Sequence, residues 1–515
     1  MSIRVRFAPS PTGALHIGGV RTALFNYLLA KKHGGTFILR IEDTDKNRFV
    51  EGAEQYIIDT LKWCGIEPTE GIGFGDGNFA PYRQSERKEI YKKYVQQLID
   101  SGHAYYAFDT PEELEAMRER LKGENHQAYD IITRMTMRNS LTLSADATKN
   151  LIEKNTPFVV RLKVPSDEII EVDDLIRGKI TFNTKELDDK VLMKADGMPT
   201  YHLANVIDDY EMGITHVIRG EEWLPSAGHH VLLYCVLGFE ATMPKFAHLP
   251  LILKPDGKGK LSKRDGAKFG FPVFPIGWKG DAPENSFDGF KEKGFYPQAV
   301  INFLALLGWS SGTEQEIYSL TEFVELFSLE KIHKAGARFD YDKAKWFNQQ
   351  YIMRTSNEDL AEQLHTACAE KDYKATKKFL TGFAGLMKER VIFFNDFLEK
   401  GYYFFEDVKT YDKPNLEKRW KGDNREKFDD LIQFIATLEF HNAQDMEHAV
   451  KDWITNNNLR LGEVFPTLRI ALAGTMQGPG IFDMAYILGK TKTIARLKKA
   501  KQDFDALVYT ESKSN

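Results

Sequence analysis

The chemistry nearest the start of the chain lies in Phe7–Leu29, FAPSPTGALHIGGVRTALFNYLL, where His16 stands between a proline-stiffened stretch and the pair Gly18–Gly19. Pro9 and Pro11 fix φ and remove two backbone donors, which makes Pro9–Gly13 a loop. Glycines allow close backbone approach, and a helix starting at Ile17–Arg21 would offer N–H groups and positive partial charge to an anion. That is the chemistry of a phosphate site, with His16 able to donate to a phosphate or ring oxygen; a histidine here also serves as an ordinary helix cap. A second segment, KPDGKGKLSKRDGAK (Lys254–Lys268), mixes lysines, an arginine and glycines. Lys260 and Lys263 flank Ser262 with little bulk, which suits a loop bringing ammonium groups to a polyphosphate and equally a solvated surface loop. Neither segment has the spacing of GxGxxG or GxxxxGK[ST].

The elements that must position these groups are legible around them. Arg4–Ala8 alternates like a strand. Apolar residues at Val20, Ala23, Leu24, Tyr27 and Leu28 follow the stripe of a helix. Gly34 and Gly35 end it, and TFILRIEDTD is an apolar run of strand length closing on acids. Strand, loop, helix, strand is a βαβ unit, and it predicts a parallel sheet. Residues 47–125 read mostly as helices, including the capped TPEELEAMRERL at 110–121. Residues 157–195 turn strand-rich, and the first sheet is expected to resume near Pro199. The segment 269–289 is rich in Gly, Pro and aromatics, as an ordered insertion would be. Beyond Phe290 helical patterns dominate.

Composition excludes several classes. The chain has 515 residues, 42% hydrophobic and 28% charged, as in soluble globular proteins. No apolar run reaches the roughly 18 residues of a membrane span, and the N-terminus has no signal pattern. Cys64, Cys235 and Cys368 are far apart, without CxxC or zinc spacing, which points to a reducing cytoplasm. The net charge of −5 argues against binding nucleic acid by overall field, although a local basic face could still hold phosphates.

Together, PSPTGALHIGG and KLSKR resemble the two signature motifs of class I aminoacyl-tRNA synthetases, usually His-Ile-Gly-His and Lys-Met-Ser-Lys-Ser. The resemblance to the glutamyl-tRNA synthetases of bacterial type is closer. It runs through RFAPSPTGALHIGG, ALFNYLLAKKHGGTFILRIEDTD, PYRQSER, MPTYHLANVIDDYEMGITHVIRGEEW and LRIALAGTMQGPGIFDMAYILGK, which span nearly the whole chain in the family's order. Gly19 takes the place of the motif's second histidine, so function does not rest on a second imidazole.

The resemblance implies an α/β protein. A Rossmann-like parallel-sheet catalytic domain (1–108 and 199–265) would carry an inserted α+β acceptor-stem domain (109–198). A connecting helical stem-contact domain (266–346, with the insertion 269–289) would lead to an all-helical anticodon-binding region (347–515). It implies that glutamate attacks ATP and is then passed to the terminal ribose of tRNA-Glu. His16, Lys260 and Lys263 would be catalytic. ATP would meet His16, Gly18, Gly19, Glu222, Trp223, Lys260, Ser262 and Lys263, with Mg²⁺ on its phosphates. Glutamate would meet Arg6, Ala8, Ser10, Glu42, Tyr201, Asn205 and Arg219, with Arg6 and Arg219 supplying the guanidinium groups. Asp43 and Asp45 would sit beside the tRNA 3′ end or simply close the strand, and Lys388 and Arg390 are candidates for the anticodon. Only ATP, Mg²⁺, glutamate and tRNA-Glu are expected as ligands of a cytoplasmic monomer without membrane contact.

Two absences belong with this reading. Residues 103–130 contain no cysteine, so no structural zinc is expected. An insertion of this length leaves no room for a hydrolytic editing domain, and a site that pairs buried polar groups can reject an analogue by about 10⁴–10⁵ without one. The rivals are weaker: RIEDTD with APSPTG favours the glutamyl over the glutaminyl pattern. The residues after Phe347 argue against both a truncated paralogue that modifies a tRNA base and a single-domain nucleotidylyltransferase.

Overall fold

The computed structural model describes residues 2–123, 128–280, 282 and 286–509. Parts of three expected segments (103–130, 269–289 and 347–515) therefore lie outside the described residues. The chain divides into two compact units, one formed by 1–293 with 297–344, the other by 294–296 with 345–515.

In the first unit the expected βαβ start is present. Strand β1 (Arg4–Phe7), helix α1 (Ile17–Lys32) and strand β2 (Thr36–Leu39) follow one another, and β1 and β2 pair in parallel. Strand β3 (Glu70–Gly71) adds to β2 in parallel. The buried face of α1 includes Val20, Ala23, Leu24 and Leu28, all fully inaccessible. Helices α2 (Ala53–Cys64) and α3 (Lys88–Asp100) follow.

Strand β4 (Ala104–Ala107) opens a second, antiparallel sheet, in which it pairs with β5 (Val159–Leu162), and β5 with β8 (Val191–Met193). The expected boundary at 109 thus falls after the first strand of this sheet. Between β4 and β5 lie α4 (Pro111–Arg120) and α5 (Ala145–Glu153). The capped appearance of α4 has its cause: Thr110 Oγ1 accepts from Glu113 N–H, and the Glu113 carboxylate accepts from Thr110 N–H.

The hairpin β6 (Ile169–Asp174) and β7 (Gly178–Asn183), expected inside the insertion, joins the sheet of the strands that follow it and not the antiparallel sheet of β4, β5 and β8. After α6 (Tyr201–Glu211) come β9 (His216–Gly220), α7 (Ala227–Val236) and β10 (Lys245–Leu249). Strand β10 pairs in parallel with β9 along its length and with β6 at Phe246↔Asp174. Thr215 N–H donates to Arg4 O at 2.9 Å, joining the β9 end of this sheet to β1. The alternating burial of β6 puts Ile170, Val172 and Asp174 inward. Two apolar residues on one face need a partner, and they join the core to which Leu232 and Leu233 of α7 belong.

The second unit is helical throughout its described residues, with a core built from residues such as Leu360, Phe383, Trp420, Leu468 and Phe504, all fully buried. The expected boundary at 347 falls inside the helix Tyr341–Arg354.

Candidate active site

His16 is the N-cap of α1. Its Nδ1 accepts from Gly18 N–H at 3.1 Å, so a neutral ring carries its proton on Nε2. Burial, followed by the fields of Lys263 and Lys260, lowers its pKa to about 4. The imidazole is therefore neutral near pH 7, and Nε2 has no hydrogen-bond partner among the described residues. His16 lines a cleft of about 460 Å³ together with Gly18, Gly19, Glu222, Lys260 and Lys263.

The glycines act differently from expectation. Ile17 N–H bonds to Val273 O at 3.1 Å, Gly18 N–H to His16 Nδ1, and Gly19 N–H to His16 O at 2.8 Å. The first-turn amides are thus engaged within the protein, because the cap and the insertion satisfy them. What Gly18 supplies is room: its missing Cβ would have only His16 Nδ1, 3.4 Å away, near it. No acid stands in the first turn, so the positive end of the helix dipole is unopposed there.

The basic loop comes to the same cleft. A Cβ on Gly13, whose φ is +119°, would lie 3.6 Å from Lys263 Nζ, so the ammonium lies over the loop that leads to His16. Desolvation of that head lowers the pKa of Lys263. Lys260 Nζ pairs with Glu222 Oε1 at 2.7 Å. Ser262 gives both N–H and Oγ–H to Asp265 Oδ2, at 2.7 and 2.6 Å, and buried Leu261 anchors the turn. Asp265 is a residue that the sequence reading passed over.

A second cleft of about 240 Å³ is lined by Arg6, Ala8, Ser10, Glu42, Tyr201, Asn205, Arg219, Glu222 and Trp223. This unites the whole expected amino-acid set, with Glu222 shared between the two clefts. Trp223, expected against adenosine, lines this cleft and not the His16 cleft; its ring lies 4.3 Å from that of Tyr201. Arg6 Nε and Nη2 bind Asp209 Oδ1 and Oδ2 at 3.0 and 3.2 Å, which leaves Nη1 untied to Asp209. A buried guanidinium needs a counter-ion before any substrate arrives.

Asp209 belongs to a buried network beneath the cleft. Arg40 reaches Asp209 Oδ1 at 2.8 Å and Glu42 Oε1 at 3.2 Å, and Arg87 reaches Asp208 Oδ1 at 2.7 Å. Burial opposes the Asp209 carboxylate, but Arg6 and Arg40 together hold its pKa below the ordinary range. Burial wins at Glu42 and raises its pKa, against Arg40, Arg6 and the bond from Asn205 at 3.1 Å. The sequence did carry a signal for this network: Arg40 interrupts an apolar strand run, and Asp208–Asp209 interrupt the apolar face of α6. Arg219 gives Nε–H to His248, Nη1–H to Tyr201 Oη at 3.0 Å and Nη2–H to Trp223 O at 3.4 Å.

Asp45 is exposed and lines a third cleft, of about 400 Å³, beside Glu42, Tyr201 and Trp223. Asp43 is held by Ser85, whose N–H and Oγ–H it accepts at 2.8 and 2.5 Å. In the second unit Lys388 caps the helix Lys377–Met387, and Arg390 is exposed, with Nη1 on Leu386 O at 3.0 Å. Among the described residues no group of three or more His, Cys, Asp or Glu is placed to hold a metal ion, and no helix is long and apolar enough to cross a membrane.

Residues 2–346 match the catalytic domain of class I tRNA synthetases (E and Q), and residues 352–501 match an anticodon-binding domain. The chain belongs to the class I tRNA synthetases of that glutamate and glutamine type. It is 53% identical over 500 residues to a glutamate–tRNA ligase of Amoebophilus asiaticus, covering 97% of this chain and 98% of that one. A glutamate–tRNA ligase of Porphyromonas gingivalis is also 53% identical, over 499 residues, with the same coverage. The crystal structure of a glutamate tRNA ligase from Elizabethkingia meningosepticum in complex with its amino acid superposes with a TM-score of 0.94. It is 48% identical and covers 98% of this chain and 99% of that one.

Proposed function

We propose that this enzyme joins L-glutamate to the 3′ end of tRNA-Glu at the expense of ATP, through a glutamyl-adenylate, with the clefts at His16 and at Arg6–Arg219 holding nucleotide and amino acid. The observation that carries this is their adjacency. The cleft of His16 and the two lysines shares Ser10, Gly18, Gly19 and Glu222 with the cleft of Arg6 and Arg219.

The first step, attack of the glutamate α-carboxylate on the α-phosphorus with loss of pyrophosphate, needs no strong base, because the nucleophile is already ionised. It needs in-line placement and positive charge on the developing phosphorane. Neutral His16, with a free Nε2–H, donates without competing for a proton. Lys260 and Lys263 supply cationic charge, Lys260 by exchanging Glu222 for a phosphate oxygen. Mg²⁺ would travel with the triphosphate and neutralise part of its charge. Glu222 is the carboxylate that this cleft offers it, and oxygen donors suit the ion.

Arg219 and the free Nη1 of Arg6 would receive the carboxylates of glutamate, and Glu42 its ammonium, with Ala8, Ser10, Tyr201 and Asn205 closing the pocket. In the second step a hydroxyl of the terminal ribose attacks the acyl carbon and AMP leaves; Asp45 lines the cleft beside which that ribose would lie. Lys388 and Arg390 would contact the anticodon. We read the chain as a cytoplasmic monomer without structural zinc, on the three unpaired cysteines and the absence of thiolate ligands in 103–130.

The test is aminoacylation with labelled glutamate, run separately with tRNA-Glu and tRNA-Gln. Charging of tRNA-Glu is expected. Exchange of pyrophosphate into ATP without transfer to either tRNA would refute the reading.

A further inference from the structure

Behind Arg219 lies an arrangement that substrate binding does not require directly. Arg219 and His248 are register partners on β9 and β10, and Asp174 ends the adjacent strand β6. Asp174 Oδ2 accepts from His248 Nδ1 at 2.6 Å, and His248 Nε2 accepts from Arg219 Nε–H at 2.9 Å. The side chains of Asp174 and His248 are both wholly inaccessible. A carboxylate can only accept and a guanidinium can only donate, so the ring between them has one workable form, neutral with its proton on Nδ1.

We propose that Asp174 and His248 are a positioning pair which orients the Arg219 guanidinium toward the amino-acid carboxylate by fixing the tautomer of His248. The proposal rests on the reading of Arg219 as a glutamate-binding residue. Asp174 is itself locked: its Oδ1 accepts the backbone N–H groups of Ile176 and Arg177 at 3.0 and 2.8 Å. The other end of Arg219 is held by Tyr201 Oη and His230 Nδ1, at 3.0 and 3.2 Å, so the bond from Nε–H to His248 sets how the guanidinium tilts toward the cleft. The β6–β7 hairpin thus contributes to specificity from outside the βαβ halves of the domain.

Asp174→Asn tests it. The two backbone N–H groups hold the oxygen of the new amide in place of Oδ1, so its NH₂ faces His248 Nδ1 and also gives up the His248 backbone N–H that Oδ2 accepts at 3.1 Å, a loss that a thermal midpoint reads apart from the KM values. The ring proton must then move to Nε2, where it confronts Arg219 Nε–H, donor against donor. In aminoacylation at saturating tRNA, the KM for glutamate should rise about tenfold or more, the scale of a misdirected charge-assisted hydrogen bond. The KM for ATP should stay within about twofold, a split that general destabilisation would not produce. Unchanged glutamate KM in D174N would overturn the pair. A readout independent of that variant's folding is ¹⁵N NMR of ring-labelled histidines in the unaltered enzyme, with His248 assigned by its loss in His248→Gln. A proton on Nδ1 is expected, and a proton on Nε2 overturns the proposal. An Arg219→Ala enzyme with an ordinary glutamate KM would instead refute the pocket reading on which the pair depends.

Discussion

His16 shows how one side chain is tuned by what surrounds it. Its cap bond to Gly18 selects the tautomer, and burial with two lysines nearby keeps it neutral. Phe274 meets the ring edge-on, 6.1 Å between centroids, and steadies it. Substituting His16→Ala should lower kcat of aminoacylation by about 10²-fold, as for one lost donor to developing charge, with the glutamate KM little changed. The same residue affects stability, with a definite sign. An unfolded histidine titrates near 6.5 and His16 at about 4, so between these values the unfolded chain holds the extra proton. Stability should fall as the pH drops through that window, by about 3 kcal/mol from this group, and level off below it. Burial sets His202 at about 3, which acts in the same direction. Thermal midpoints measured from neutral pH down to about 4.5 would check this, and His16→Ala should flatten the slope. Arg6 teaches a different lesson: its partner Asp209 lies 203 residues away, and no local pattern connects them.

At the scale of elements, the basic loop owes its shape to an acid. Asp265 holds Ser262 by two bonds and draws Lys254 to 3.5 Å, which fixes the KLSKR turn, while Lys260 pairs with Glu222 and both Lys260 and Lys263 line the His16 cleft. Asp265→Ala should reduce kcat about tenfold, the worth of the charge-assisted bonds it makes, with little effect on the glutamate KM. A variant in which both constants stay at their original values would show that the loop shapes itself without Asp265. The insertion after this loop also has a structural role that its composition did not announce. Val273 O caps the Ile17 amide, Tyr56 Oη–H donates to Ile276 O at 2.5 Å, and Trp278 and Phe287 exchange backbone bonds at 2.9 and 3.0 Å. Gly/Pro/aromatic runs signal an ordered loop, but which amide such a loop caps is decided by where the chain returns.

For the whole molecule, the division into a catalytic unit and a helical unit assigns separate tests to each. Replacing Lys388 and Arg390 together by alanine should raise the KM for tRNA about tenfold, as lost phosphate or base-edge contacts do, and leave the glutamate and ATP KM values unchanged. A rise in all three constants would argue that these residues only support the helical core. The sequence by itself determined the βαβ start, the capped helix α4, the helical C-terminal unit and, through its motifs, most of the charged and hydroxyl side chains that gather at the two clefts. These depend on local periodicity, on caps within a few residues and on motifs whose order along the chain is printed in the sequence. Only the tertiary structure decided that β6–β7 completes the catalytic sheet, that Asp209 occupies most of Arg6, and that Trp223 lines the cleft of Arg6 and Arg219 rather than that of His16. It also showed that the first-turn amides of α1 are already satisfied. Each of these is a pairing between distant segments, settled by which buried charge or open sheet edge finds its partner when the chain closes, and spacing along the sequence does not encode that distance.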